Sequence, residues 1–101
     1  MVMTVLEAHV AAEKWAVLAA SYKEGTAHLP PQMVETFLVQ STADPTLWRG
    51  ISLWRSREAL DEYRKSVQTA GGVLIFRAAG AEPTLTVFDV AARGVSPAVV
   101  V

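Results

Sequence analysis

The spacing of apolar residues changes period along this chain, and that change limits the fold more than any composition figure. Over Met3–Val10 (MTVLEAHV) the period is two. Thr4, Leu6, Ala8 and Val10 share one side and Val5, Glu7 and His9 the other, which predicts a strand. From Ala11 the period becomes helical: Trp15, Leu18, Ala19 and Tyr22 form one stripe, Glu13 and Lys14 lie off it, and Gly25 is the expected stop. Pro30-Pro31 forces a loop over Thr26–Gln32.

Met33–Ser41 (MVETFLVQS) and Leu47–Arg55 (LWRGISLWR) then read as two strands. Between them, Asp44 can accept bonds from backbone amides and Pro45 presets φ, so the pair is expected as an antiparallel hairpin. Helical spacing returns after Ser56, an N-cap by residue type, with Glu58 in the first turn and Ala59, Leu60, Tyr63 and Val67 as the apolar stripe. Gly71-Gly72 is expected to end that helix. Val73–Ala79 reads as a short helix, with a strand as the alternative, and Thr84–Val90 (TLTVFDV) as the fourth strand.

The order β–α–β–β–α–(short α)–β is the split βαβ, ferredoxin-like arrangement. The expectation is an α+β fold in which a four-stranded antiparallel sheet carries helices on one face. That architecture leaves the other sheet face bare. A 101-residue chain with 51% hydrophobic residues has more apolar surface than so small a domain hides, so a homodimer through the open sheet face is expected. Residues 1–93 are assigned to the domain and 94–101 to an apolar tail expected to pack on its own or a partner's surface.

Nine Lys+Arg against ten Asp+Glu, without a basic stripe, give no electrostatic footprint for nucleic acid. The absence of Cys removes disulfides, thiolate nucleophiles and thiolate metal sites. No apolar run is long enough for a membrane span and no signal-peptide pattern opens the chain, so a cytoplasmic protein is the default expectation. No phosphate-cradling glycine loop, zinc-binding helix motif or nucleophile elbow occurs, and neither metal nor cofactor is expected.

Leu47–Tyr63 (LWRGISLWRSREALDEY) carries a more specific signal. A strand ending in Trp, followed by Ser, a charged residue and Glu-Ala-Leu, resembles the antibiotic biosynthesis monooxygenase family. That family's approximate W-x-S-x-E-A-L pattern reads here Trp54-Arg55-Ser56-Arg57-Glu58-Ala59-Leu60. The order of elements agrees from about Met1 to Val90. The resemblance implies a dimeric α/β barrel with a pocket in each protomer between sheet and helices. Members include cofactor-independent oxygenases of phenols and quinols, and haem-degrading enzymes. The chain departs from both groups: it contains no Asn, which such oxygenases commonly use beside the Trp, and its second helix has Tyr63 near where haem-degrading relatives place a His.

Trp54 is the leading candidate, an indole lining the pocket and offering its N–H to a bound oxygen atom. His9, beside Glu7 on the first strand, is the strand-borne base candidate. Tyr63 and Tyr22 are candidates to orient a phenolic ligand, Trp15 is an apolar contact on the same helix stripe as Tyr22, and His28 lies in the loop expected at the pocket mouth. Each has packing or solvent decoration as its competing reading. Arg49 alternates away from Trp54 and is expected on the dimer side, while Arg77 is a second cationic candidate. The expected function is cofactor-independent monooxygenation of an aromatic phenol or quinol. The alternatives are a non-catalytic small-molecule-binding or assembly domain, and an isomerase or cyclase.

Overall fold

In the computed structural model, which describes residues 1–97, the strand pattern at the start of the chain becomes a central strand. The strand β1 (Val2–His9) pairs antiparallel with β3 (Leu47–Trp54) on one side and with β4 (Thr84–Asp89) on the other, and β2 (Met33–Gln40) completes the order β2-β3-β1-β4. The register sets Val2 opposite Trp54 and Ala8 opposite Trp48. Even-numbered residues of β1 therefore face the same way as Trp48, Gly50, Ser52 and Trp54, and Val2, Thr4, Ala8 and both tryptophans are buried there. In β2 a bulge between Met33 and Glu35 absorbs one residue, so Met33 and Thr36 both stay on this inner face.

Three helices cover the inner face. A 3-10 turn (Ala12–Lys14) leads into α1 (Trp15–Gly25), followed later by α2 (Arg57–Ser66) and α3 (Gly71–Ala78). The Ser56 hydroxyl accepts the Ala59 amide at 3.0 Å and starts α2 as its residue type predicts. The short segment after it is a helix, not a strand. Gly71-Gly72 does not end α2, which stops at Ser66; the pair forms the first turn of α3. The reason is steric. A Cβ on Gly72 would stand 2.7 Å from Leu6 Cδ1, so with any other residue there the Leu6 side chain would have to move for α3 to start this close to the sheet. The left-handed glycine is Gly80 (φ 74°), where the Ala81 amide turns back to the Phe76 carbonyl at 3.0 Å and closes α3.

The core lies between the sheet and the α1–α3 pair. Leu18 and Phe76 are fully buried there, with Val10, Ala8, Trp48, Ala79 and Ala81 around them. A second, smaller cluster joins Val2, Trp54 and Leu60 under α2. No helix among the described residues is long and apolar enough to cross a membrane.

The outer face stays bare over much of its area, with Phe37 53% and Phe88 49% exposed. Beyond β4, Arg93 reaches Glu35 on the far edge strand at 3.7 Å, and the Val90 amide bonds to the Met1 carbonyl at 3.1 Å. The chain after β4 thus runs back across the end of the sheet, where outward-facing Leu53 is buried. The rest of the expected tail, residues 98–101, lies outside the described residues.

Candidate functional site

Trp54 ends β3 on the inner face, and the motif that follows it determines what stands opposite. Ser56 starts α2 at once, so Leu60, Tyr63 and Arg64, one helical turn apart, are carried over the indole. The Tyr63 ring lies 4.9 Å from the Trp54 ring at 43°. The Tyr63 hydroxyl accepts the Gly71 amide at 3.0 Å, which ties α2 to the start of α3.

Between these helices and the sheet the interior is not filled. One cavity of about 80 Å³ is lined by Thr4, Leu6, Ser52, Trp54, Tyr63 and Arg64 among others. A second, of about 70 Å³, is lined by Tyr22, Thr26, Leu29, Thr36, Ser52 and Tyr63 among others. They share Met33, Ser52, Tyr63 and Gly72, and so form two lobes of one cleft.

The polar groups of the cleft form a connected set. Ser52 Oγ and Thr36 Oγ1 are 2.9 Å apart, Thr36 bonds in turn to the Tyr22 hydroxyl, and Tyr22 donates to the Phe37 carbonyl at 3.1 Å. Burial raises the Tyr22 pKa above its ordinary value, against the opposing pull of the Thr36 and Ser52 hydrogen bonds, so Tyr22 is a neutral phenol at physiological pH. Ser52 ends this chain and lines both lobes. Among the described residues, neither carboxylate nor imidazole lines either lobe, and Arg64 is their charged group. No cluster of three or more metal-ligating side chains occurs among the described residues.

The structure brings Trp54, Tyr63 and Tyr22 to this cleft and leaves three other candidates outside it. His9 is an outward-facing residue of β1; its Nδ1 is 2.9 Å from Thr46 Oγ1 and 3.6 Å from Asp44, in solvent at the hairpin end. Trp15 opens α1 at the opposite end of the inner face, donates to the Val10 carbonyl at 2.9 Å and packs on Trp48. His28 is exposed, while its loop neighbours Thr26, Leu29 and Pro30 line the second lobe. The Trp54 N–H is not open to a ligand, because it donates to buried Thr4 Oγ1 at 2.9 Å; the indole presents its face, not its donor. Arg49 lies on the outer face against Glu7 at 2.7 Å, and Arg77 is paired with Glu82 on the surface.

Sequence reasoning missed Ser52 as the polar floor, Gly72 as the approach point and Arg64. The Arg64 signal was present: a cation four residues after Leu60, on the stripe that faces the sheet.

The family profile of antibiotic biosynthesis monooxygenases matches residues 1–71, which span β1 through α2 and so carry Trp54, Tyr63 and Arg64. Among solved structures, one described as an antibiotic biosynthesis monooxygenase is 17% identical, covers 91% of this chain and 100% of its own, and superposes with a TM-score of 0.68. The cofactor-independent oxygenase SnoaB from Streptomyces nogalater is 18% identical over 91% of this chain and 94% of its own, with a TM-score of 0.62. A conserved protein from Methanosarcina mazei is 14% identical over 86% and 89%, with a TM-score of 0.69. At these identities the likeness to solved structures shows the fold. No curated protein matches the chain in sequence.

Proposed function

This chain belongs to the antibiotic biosynthesis monooxygenase family, and from that premise we propose that it is a cofactor-independent oxygenase of a small phenol or quinol bound in the Trp54–Tyr63 cleft. The observation that carries this reading is the unfilled space against two aromatic rings, beside a floor of hydroxyls. Size selects the substrate. The two lobes, about 80 Å³ and about 70 Å³, together reach the scale of the ~150 Å³ cavity that holds one benzene ring, so there is room for a single ring.

Oxygenation without a cofactor requires the substrate to supply every electron that O₂ accepts. A quinol does so by ending as a hydroxyquinone: quinol plus O₂ gives hydroxyquinone plus water. The difficult part is forming the electron-rich anion next to O₂. Leu60, Trp54 and Val73 shield the ring from water, and Arg64 stabilises negative charge on the ligand. Ser52 exchanges a hydrogen bond with the ligand hydroxyl, and Thr36 and Tyr22 hold Ser52 in place. Ionisation then depends on stabilising the anion, because the cleft holds no strong base.

That same lack of a base favours a second reading, a binding module that holds such molecules without turnover. Oxygen uptake with hydroquinone and methylhydroquinone, in the presence of a metal chelator, separates the two. The expected result is one O₂ consumed per quinol above the uncatalysed rate, with at least a ~10-fold loss in Trp54→Ala. Binding with no uptake above the blank would replace the oxygenase reading with the binding one.

The open sheet face supports a homodimer. Phe37 and Phe88, with Val5 and Ile51 between, surround the Glu7–Arg49 pair on an outward surface. Sedimentation of the full chain should give twice the chain mass, reduced to one chain by Phe37→Glu. A monomeric wild type would contradict this assembly. The cysteine-free composition suits a reducing compartment such as the cytoplasm.

A further inference from the structure

We infer that the ligand of the cleft is an anion: a single-ring phenol carrying a carboxylate, with the carboxylate on Arg64 and the hydroxyl on the Ser52 side. This rests on the reading of the cleft as an aromatic ligand site and adds what that site selects.

Arg64 differs from the other arginines of the chain. Arg49 is held by Glu7, Arg57 by Asp61, Arg77 by Glu82, Arg93 by Glu35, and Arg55 donates to the Pro31 carbonyl at 2.7 Å. Arg64 makes neither a hydrogen bond nor an ion pair with any described residue, although it is partly buried and lines the cavity beside Trp54 and Tyr63. An arginine on a solvent-facing helical stripe needs no partner. One on the inward stripe, beside Leu60 and Tyr63, lays its stem along apolar surface and keeps its five donors unpaired at the edge of the cavity.

The chemistry of that occupant follows from the group. A guanidinium is a planar fork that binds a carboxylate through two parallel hydrogen bonds, whereas a phenolate offers one oxygen. With no acidic side chain lining either lobe, nothing in the cleft competes for the fork. Ser52, across the same lobe on the sheet floor, both donates and accepts, and suits the phenolic hydroxyl at the other side of the ring. A ring bearing both groups is therefore matched at two points, and a neutral ring at one.

The test is calorimetric titration of the full chain with 2,5-dihydroxybenzoate, its methyl ester and hydroquinone. The acid is expected to bind ~10-fold more tightly than the ester, the margin of one charge-assisted hydrogen-bonded pair. Arg64→Gln should remove that preference, so that acid and ester bind alike, and Arg64→Lys should retain part of it. Circular dichroism confirms that both variants are folded. Equal binding of acid and ester by the wild type, or a preference that survives Arg64→Gln, would overturn the assignment while leaving the cleft as an aromatic site. If none of the three compounds binds, the aromatic site itself fails, and the anion with it.

Discussion

Trp48 and Trp54 lie on the same strand and the same sheet face, about 20 Å apart at the strand rise, yet their surroundings are opposite. At Trp48 the α1–α3 pair closes over the sheet, with Leu18 and Phe76 inaccessible to solvent and Trp15 packed alongside at 6.2 Å. At Trp54 the amphipathic helix α2 and the glycine start of α3 meet over the sheet and leave the cleft between them. Packed helices fill one end, and the junction of α2 with the start of α3 leaves the other hollow. Residue type does not mark the site here; how closely the helices pack over the sheet does. Gly50, between the two tryptophans and nearer Trp48, marks the border: a Cβ there would meet the Phe76 ring at 3.3 Å.

This contrast can be tested by substitution. The largest effect belongs to the filled end, where Phe76→Ala should cost about 3–5 kcal/mol in urea unfolding, while Leu60→Ala, beside existing empty space, should cost nearer about 2 kcal/mol. Equal losses would erase the distinction between the ends. Trp54→Phe removes the donor to Thr4 and strands a buried hydroxyl, for about 1–2 kcal/mol, and it should also weaken aromatic binding, whereas Trp48→Phe should leave binding intact.

Gly72→Ala comes next, at about 1 kcal/mol, because the Leu6 methyl it strikes is the free end of a side chain that can move. Binding should fall more than stability does, since Gly72 lines both lobes. The smallest effect is acid-dependent and lies at the hairpin near Trp48. Hydrogen bonds from the Thr46 side chain and amide hold the Asp44 carboxyl below the usual carboxylate range. A depressed carboxyl stabilises the fold above its unfolded pKa, and that contribution disappears as pH falls through the folded value. The melting-temperature difference between wild type and Asp44→Ala should thus be steady above about pH 4 and vanish in stronger acid, with cleft binding untouched.

The fold was legible because hydrophobic period assigns faces directly: Thr4, Leu6, Ala8 and Val10 on one side, Ser56 as cap, Asp44 as turn. Period does not reveal partners. It placed Trp54 on the correct face but could not show that Thr4, fifty residues away, takes its N–H. The glycine pair at 71–72 resembles a stop until Leu6 is seen pressed against it, a contact that only the three-dimensional arrangement creates. Val67 falls on the helical stripe by spacing but lies past the end of α2. His9 stands out in sequence as an imidazole beside a carboxylate, and the register of β1 with β3 sets both on the face away from Trp54.

The most direct test follows the three indole N–H resonances of ¹⁵N-labelled protein during titration with hydroquinone and 2,5-dihydroxybenzoate. Ligand in the cleft should shift the Trp54 resonance in a saturable way and leave Trp15 and Trp48 in place, because those two lie in the filled end. A shift confined to Trp48 or Trp15, or three unmoved resonances, would contradict a ligand site at the Trp54 end.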